Sequence, residues 1–242
     1  MDVSIIVTTY NYANYLGECI ASCLGQKASD IKYEVIVVDD GSTDDTPAVM
    51  RKFLSSDVRY YHIENSGIER ASNFGFSKAK GKYIVRVDAD DILLSNYLVS
   101  MQPHLGVGHS FIYSDYIVID QNSNQLREFR IPKFDRSEIF KRGDFLATGT
   151  LVLSDLFARL AGYKVDIVNS GLENYEFILR CIDSGYYGVH IPKILFGYRR
   201  HSQNISELKK DQIVRNGKLL FKSNKYGDFS SNQFHPYGLE VS

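Results

Sequence analysis

The stretch from Tyr83 to Leu94 constrains the fold most, because a short apolar run ends there in a cluster of carboxylates. Its first five residues are mostly β-branched or aromatic, which predicts a buried β-strand. Asp88, Asp90 and Asp91 follow directly, and their mutual repulsion favours protonation unless a cation or hydrogen-bond donors compensate it. A divalent metal takes oxygen ligands and shares them with phosphates, so it would remove this conflict. The alternative is a solvated, aspartate-rich turn.

Three similar apolar runs precede this strand and alternate with helical patterns. The predicted elements are strand 3–8, helix 14–24, strand 33–38, helix 47–54, strand 58–63 and helix 67–79. Strands that alternate with helices at this spacing predict βαβ units and a parallel sheet, which is an α/β fold. Because parallel strands present their carboxyl ends at one edge, we expect Thr8, Tyr10, Asp40 and Asp88 to converge there.

The pattern is looser after Asp91. The predicted elements are helix 95–104, strand 110–119, a turn at 121–124 leading into 125–131, helix 172–182, strand 189–198 and helix 209–222. Pro192 is expected to break the last strand, because proline cannot donate a ladder hydrogen bond. Residues 133–144 are polar and predict a mobile segment.

The overall composition excludes several classes of protein. With 242 residues, the chain can bury a sizeable core as one large or two small domains. A net charge of −1 gives no indication of a nucleic-acid partner or of general binding to membrane surfaces. The apolar runs are too short for a transmembrane helix, and the N-terminus carries no signal-peptide pattern. We therefore expect a cytoplasmic protein.

The three cysteines do not predict a metal site or a disulfide. Cys19, Cys23 and Cys181 lack zinc-site spacing and are odd in number, so we expect reduced thiols. Cys19 and Cys23 share the apolar face of the first predicted helix with Leu16 and Ile20, which predicts core packing.

Two motifs point to other functions and are rejected. Residues 75–82 resemble a phosphate-binding loop, but five residues separate the two glycines instead of four. Tyr83 also stands where a Ser or Thr would hold magnesium. The run VRVDADD resembles the aspartyl phosphatase motif, but it lies far from the N-terminus and Asp91 follows the second aspartate.

Several ordered blocks together make the chain similar to the family 2 glycosyltransferases of the GT-A fold. The blocks are VSIIVTTYN, VIVVDDGSTDDT, SGIERASNFGFSKAKGKYI, VDADD, TGTLVLSDLFARLAGY, GLENYEFILR and YRRHSQNIS. Each block alone is a weak signal, but their order and spacing over residues 3–206 are specific. The resemblance implies a Rossmann-like α/β fold with a mostly parallel central sheet flanked by helices. Residues 1–105 would form the nucleotide-binding half, 106–206 the acceptor half, and 207–242 a helical extension and tail.

The same resemblance implies the reaction and its partners. Members of this family use a nucleotide-sugar donor, usually UDP-linked, with Mn²⁺ or Mg²⁺, and they invert the anomeric carbon. We expect a hexose or amino sugar to pass to a glycan or lipid-linked acceptor in surface polysaccharide synthesis. Peripheral association with the inner face of the membrane, through the acceptor or a partner enzyme, is compatible with this role.

Five residues match nucleotide-binding positions of the family. Thr8 and Tyr10 would line the base and ribose pocket, and Asp40 would accept the uracil N–H. Asp39 would support this motif, and Arg70 would lie near the nucleotide. The structural alternatives are a strand-end hydroxyl, a packed ring, turn carboxylates and a solvated helix charge.

Four further residues match the family's metal and diphosphate site. Asp88 would face the ribose, while Asp90, together with Asp91, would hold the metal that bridges the phosphates. His201 would complete the metal or diphosphate shell, although a lone histidine is more often structural. The resemblance thus assigns a chemical role to the carboxylate cluster.

The chain departs from the family at the position of the catalytic base. That block usually reads Glu-Asp-Tyr, with the aspartate as base, but here it reads Glu173-Asn174-Tyr175. An amide cannot accept the acceptor's proton at neutral pH, so Glu173 is the first candidate and Glu176 the second. The remaining alternative is a weak or inactive module that binds a nucleotide-sugar or a partner enzyme.

Overall fold

The apolar run at the N-terminus forms an inner strand of a sheet. The structure is a computed structural model. It describes residues 1–27, 30–53, 58–142, 149–166 and 170–229. The first half contains β1 (Val3–Thr9), α1 (Ala13–Leu24), β2 (Tyr33–Asp39), α2 (Thr46–Met50), β3 (Val58–His62), α3 (Ile68–Lys78) and β4 (Tyr83–Asp88). Every predicted element of this half is confirmed, while the predicted end of the second helix, Leu54, lies outside the described residues.

The second half adds shorter and more varied elements. They are β5 (Ile92–Leu93), α4 (Tyr97–Met101), a 3₁₀ turn (Gln102–His104), β6 (Phe111–Ile119), β7 (Gln125–Phe129), α5 (Arg136–Arg142), β8 (Leu151–Leu153), α6 (Ser154–Arg159), α7 (Glu173–Asp183), β9 (Gly188–Arg199), α8 (Ile205–Leu208) and α9 (Lys210–Asn224). The described strands form one mixed sheet in the order β3-β2-β1-β4-β8-β6-β9-β5, with β7 paired to β6. The predicted α/β fold with a mostly parallel central sheet is confirmed.

The register of β1 brings polar residues from separate strands together. β1 pairs in parallel with both β2 and β4, which places Thr8 beside Asp88 and Thr9 beside Asp39. The apolar parts of all three strands are buried, so the sheet is covered on both faces, as a parallel sheet requires. Polar side chains can therefore collect only where the strands end.

Three features of the second half differ from the sequence-based expectation. β8 pairs antiparallel with both β4 and β6, and its three residues are too few for a periodic signal. β9 continues through Pro192 because its register with β6 slips there, from Ser114 beside Ile191 to Asp115 beside Ile194. The segment 133–144, which is predicted to be mobile, contains a helix that was not predicted, α5, and residues 143 and 144 lie outside the described residues.

Helix α1 packs as its apolar face predicts. Leu16, Cys19, Ile20 and Cys23 are fully buried, and the three cysteines are free thiols. In the ranges that the structure describes, no helix combines the length and apolar composition needed to cross a bilayer.

Two helical glycines differ in the space around them, which gives a test of the packing of α3 on the sheet. A Cβ at Gly75 would lie 2.6 Å from Ile6 Cγ2 and 3.1 Å from Val38 Cγ2, whereas one at Gly17 would lie 3.8 Å from Val49 Cγ1. We expect Gly75→Ala to lower the free energy of unfolding by about 1–3 kcal/mol through overpacking. Gly17→Ala should raise it by about 0.5–1 kcal/mol through helix propensity. Denaturant unfolding of both variants checks this, and equal effects would contradict the packing described.

Candidate active site

The described residues form a cleft of about 580 Å³ at the carboxyl edge of the sheet. Its walls come from the ends of β1, β2 and β4, from the region around the start of α7, and from the segment of α8 and α9. The polar residues that line it include Thr8, Thr9, Tyr10, Asp40, Arg86, Asp88, Asp90, Glu173, Asn174, Asn204 and Lys209. The four side chains expected to converge at this edge, Thr8, Tyr10, Asp40 and Asp88, all line the cleft.

The loop after β1 places an exposed aromatic ring beside two hydroxyls. The Oγ1 atoms of Thr8 and Thr9 are buried, and neither has a hydrogen-bond partner within the described structure. Tyr10 follows at once and is 46% exposed. Asn11 adopts a φ of 59°, and its N–H donates to Ser42 Oγ at 2.9 Å. The loops after β1 and β2 are therefore tied together, with unused polar atoms facing the cleft.

Asp40 joins the end of β2 to the loop before α3. Its Oδ1 accepts from the Ser66 N–H at 2.8 Å, and its Oδ2 accepts from the Gly67 N–H at 2.9 Å. Oδ1 also accepts from the Ser66 hydroxyl at 3.1 Å, whereas Oδ2 keeps a second lone pair for a donor in the cleft. Asp40 is therefore held in place without being saturated.

Asp39 lies behind the cleft and fastens β2 to β3. Its Oδ1 accepts from the Ser42 N–H at 2.8 Å, and its Oδ2 accepts from the Tyr60 hydroxyl at 2.8 Å and lies 3.0 Å from His62 Nδ1. Burial by itself raises the pKa of Asp39, but hydrogen bonds from Ser42, His62 and Tyr60 outweigh it and lower the pKa below its usual value. Asp39 is thus an ionised support for the loop that carries Asp40.

Asp90 meets the segment that follows β9. Its Oδ2 lies 3.0 Å from His201 Nε2 and 3.4 Å from Asn204 Nδ2. The His201 ring stacks on Tyr15 with centroids 4.8 Å apart, which fixes its orientation. The contact joins residues 111 positions apart in the chain.

The buried guanidinium of Arg199 contacts the loop of residues 88–91, which we call the carboxylate loop. Its Nε donates to the Asp90 carbonyl at 2.6 Å, its Nη1 to the Asp120 carbonyl at 3.1 Å and its Nη2 to Glu18 Oε2 at 2.7 Å. The Arg199 N–H donates to Asp91 Oδ1 at 2.9 Å. Asp91 therefore points toward β9, away from the cleft, and fastens the loop.

Arg86 connects the carboxylate cluster to the start of α7. Its Nη1 donates to Glu173 Oε1 at 2.8 Å, and its Nε lies 3.1 Å from Asp88 Oδ1. Glu173 is buried at the wall of the cleft, and its Oε2 has no hydrogen-bond partner among the described residues. One oxygen of Glu173 is thus held by a charge-assisted bond while the other stays free to accept a proton or a donor.

The negative charge in the cleft exceeds what its protein cations compensate. Burial raises the pKa of Asp88 to about 6, with the Arg86 guanidinium opposing the shift and the carboxylates of Asp90 and Glu173 adding to it. Among the described residues that line the cleft, the Lys and Arg side chains are Arg86 and Lys209. The site is therefore suited to a ligand that arrives with a cation.

The side chains of Asn174 and Glu176 make polar contacts with neighbouring residues. Asn174 Oδ1 accepts a hydrogen bond from the Tyr163 hydroxyl. Glu176 accepts from Arg180 Nε at 2.7 Å and pairs with Lys164 Nζ at 3.1 Å, and it does not line the cleft. Of the two candidate bases, only Glu173 therefore faces the cleft.

The donor set around Asp90 fits a divalent cation that is shared with a ligand. Within the described residues, no group of three or more His, Cys, Asp or Glu side chains is gathered in a metal-binding arrangement. Magnesium sites commonly use one or two carboxylates and complete their shell with phosphate oxygens and water, and carboxylates also suit manganese. Asp90 and His201, with Asp88 nearby, match such an open site and do not match a closed protein cage.

Comparison with known protein families identifies the family of the chain. The family model described as "Glycosyl transferase family 2" matches residues 4–171. The chain belongs to this family. The matched region contains the strands and loops that carry Thr8, Asp40, Asp88 and Asp90, and it ends before Glu173 and His201.

Two curated relatives of this family 2 glycosyltransferase show how much of its sequence is shared with other members. An uncharacterized glycosyltransferase of Haemophilus influenzae is 29% identical over 233 residues, which is 93% of this chain and 83% of the relative. An uncharacterized glycosyltransferase of Rickettsia bellii is 38% identical over 133 residues, which is 53% of this chain and 19% of the relative. The chain thus spans about a fifth of the length of the Rickettsia bellii protein and most of the length of the Haemophilus influenzae protein.

Solved structures of two transferases share the fold. S. aureus TarS (residues 1–349) in complex with UDP-GlcNAc has a TM-score of 0.72 at 18% identity, covering 91% of this chain and 65% of that one. The mannosyltransferase PcManGT from Pyrobaculum calidifontis in complex with GDP-Man and Mn²⁺ has a TM-score of 0.69 at 19% identity, covering 97% and 67%. At these identities the likeness establishes a GT-A type fold.

The site residues expected in this family 2 glycosyltransferase divide into two groups. Those that line the cleft are Thr8, Tyr10, Asp40, Asp88, Asp90 and Glu173. Those that lie behind it or outside it are Asp39, Arg70, Asp91, Glu176 and His201, of which His201 reaches the cleft through Asp90. Arg70 is exposed, and its Nη1 contacts the Ser66 carbonyl at 3.4 Å.

Sequence reasoning missed three residues that organise the site. Arg86, Arg199 and Asn204 were given no role, although each contacts Asp88 or Asp90. The sequence offered a signal for Arg86, because it is a charged residue inside a strand that is predicted to be fully buried. Charged residues are rarely buried without a partner, so a partner for Arg86 could have been expected. Leu208, Lys209 and Ile213, which belong to the predicted C-terminal extension, also line the cleft.

Adjacent arginines after β9 provide a test of the carboxylate loop. Arg199 is 1% exposed, while Arg200 is 31% exposed and pairs with Glu207 on the surface. We expect Arg199→Lys to lower the free energy of unfolding by about 2 kcal/mol or more, since a lysine leaves buried acceptors unpaired. Arg200→Lys should change it by less than about 0.5 kcal/mol. Equal losses in denaturant unfolding would contradict the role given to Arg199.

Proposed function

We propose that the protein is an inverting glycosyltransferase that moves a sugar from a nucleotide-sugar to a hydroxyl of a glycan or lipid-linked acceptor. The observation that carries this proposal is the cleft lined by Asp88, Asp90 and Glu173, in which Arg86 pairs with Asp88 and Glu173. Membership of family 2 supports the reaction class. Synthesis of a surface polysaccharide is the role that such a transfer would serve.

The donor nucleotide would occupy the edge formed by β1 and β2. Unpartnered hydroxyls at Thr8 and Thr9, the exposed ring of Tyr10 and the remaining acceptor capacity of Asp40 match a base and ribose. An acidic acceptor suits the imide N–H of uracil, which favours a UDP-sugar. TarS in complex with UDP-GlcNAc shares this fold, which supports the same placement.

The diphosphate would lie above Asp88 and Asp90. Asp90 and His201, with Asp88, would hold Mn²⁺ or Mg²⁺, and PcManGT in complex with GDP-Man and Mn²⁺ supports this assignment. A divalent cation bound there would supply stabilisation of the charge that grows on the leaving diphosphate. Lys209, at the opposite wall, would add a positive charge to the same ligand.

Glu173 would act as the general base. Its Oε1 is fixed by Arg86, and its free Oε2 would accept the proton of the acceptor hydroxyl as the oxygen attacks the anomeric carbon. The bond from that carbon to the diphosphate oxygen breaks on the opposite side, so the configuration inverts. Asn174 cannot take this role, because its Oδ1 already accepts from Tyr163 and an amide is not basic enough.

The metal assignment is tested by comparing Asp90 with an exposed aspartate. We expect Asp90→Ala to remove the gain in UDP affinity that Mn²⁺ provides, since the cation would lose its main protein ligand. Asp45→Ala serves as the control, because Asp45 is exposed and its side chain makes no cap hydrogen bond at α2. Calorimetric titration of UDP with and without Mn²⁺ measures both, and an unchanged manganese effect in the Asp90 variant would refute the assignment.

The base assignment is tested by a pair of isosteric changes. We expect Glu173→Gln to slow transfer by about 10²–10⁴-fold, since it removes the proton acceptor but keeps an oxygen for Arg86. Glu176→Gln should leave the transfer rate unchanged, because Glu176 lies outside the cleft with Arg180. Turnover and UDP affinity are measured for both, and normal turnover of the Glu173 variant would exclude it as base.

The amide at Asn174 favours one alternative, a module that binds a nucleotide-sugar or a partner enzyme without turnover. Release of UDP from a UDP-sugar in the presence of Mn²⁺ distinguishes the two functions. Binding of the donor without any release, even with a range of hydroxyl acceptors, would favour the module. Release that depends on Glu173 would favour the enzyme.

A further inference from the structure

The C-terminal part of the described chain carries a concentration of positive charge that the net charge of the whole protein hides. Residues 208–225 contain six Lys or Arg residues and one acidic residue, a net charge of +5 in a chain of net charge −1. The remainder of the chain therefore has a net charge of −6. Such asymmetry indicates a local electrostatic role.

Helix α9 presents most of this charge on one face. Arg215, Lys218 and Lys222 are spaced at i, i+3 and i+7, which places them on the same side of a helix, and all three are exposed. None of the three forms an ion pair with another described residue. Leu219 lies among them and is 56% exposed. The exposed face thus combines three cations with an apolar side chain, and we call it the basic face of α9.

The opposite side of α9 is already used for packing. Ile213 and Phe221 are buried, and the Phe221 ring contacts Tyr226 and Phe229 with centroids 5.7 and 5.2 Å apart. The described residues after the helix therefore cover its apolar side and leave the basic face open. An exposed leucine among cations serves no purpose in that packing.

We propose that the basic face of α9 docks the protein on an anionic lipid bilayer, with Leu219 entering the interface between headgroups and acyl chains. Clusters of Lys and Arg on an amphipathic helix are attracted to anionic headgroups, and an apolar side chain among them adds burial. A nucleic acid fits less well, since the face presents no aromatic side chain for base stacking. An acidic protein would gain little from Leu219 at the centre of the charge.

The N-terminal end of α9 lies beside the cleft, where Lys209 and Ile213 contribute to the lining. Leu208 is 67% exposed and lines the cleft one residue before the junction that leads into α9 at Lys210. This inference does not depend on the proposed transfer reaction, because binding to lipid is measured without donor or acceptor.

The test uses the full chain and flotation with vesicles of phosphatidylcholine, with and without phosphatidylglycerol. We expect binding only to the anionic vesicles and its loss at high salt. The triple variant R215Q/K218Q/K222Q should bind them roughly a hundredfold more weakly, at about fivefold for each cation removed. Leu219→Ser keeps every charge and should weaken binding several-fold.

A matched control separates this face from net charge. K32Q/K52Q/K80Q removes three exposed lysines elsewhere on the chain and should bind like the unmodified protein. The UDP and manganese thermal shift, measured for all variants, reports whether fold and donor site are intact. Failure of the unmodified protein to bind anionic vesicles would overturn the proposal, as would equal losses in the two triple variants. Binding to polyuridylate without binding to vesicles would also overturn it and assign the face to nucleic acid.

Discussion

The burial of Arg199 beneath the carboxylate loop is the interaction on which the site depends. A guanidinium cannot be taken out of water without partners, and Arg199 has them in the carbonyls of Asp90 and Asp120 and in Glu18. These partners come from separate parts of the chain, so the guanidinium joins the carboxylate loop to α1 and to the turn after β6. The Asp90 side chain is then free to point into the cleft, where its repulsion with Asp88 remains for a ligand to relieve.

Arg86 is a second buried arginine that holds carboxylates of the cleft in place. It holds Asp88 and Glu173 within one charge-assisted network, so the proposed base and the proposed diphosphate site keep a fixed relation. The cost of leaving polar atoms such as Glu173 Oε2 without partners is about 1–3 kcal/mol for each. A substrate can satisfy such atoms, and among the described residues those of Thr8, Thr9 and Glu173 line the cleft.

The local sequence pattern predicted the elements of the first half well. The periodicity of the apolar residues and the polar residues at the strand ends can both be read from short, continuous stretches of sequence. The local pattern could not predict β8, whose three residues have no period, or the pairing of Arg86 with Glu173 across 87 positions. Resemblance to relatives supplied Asp90 and His201 as a pair of expected ligands, but not the arginine that aligns them. The concentration of charge in residues 208–225 can be read from the sequence, but the net charge of the whole chain does not indicate it, because a total near zero says nothing about where opposite charges lie.

The antiparallel insertion of β8 explains why the end of the chain takes part in a site built near its beginning. β4 and β6 both run opposite to β8, so they run in the same direction as each other, and β9 is parallel to β6. Two reversals cancel, and the carboxyl end of β9 emerges on the same side of the molecule as that of β4. Had the intervening strand been parallel to only one neighbour, His201 would have emerged at the far rim, a full strand length from Asp90.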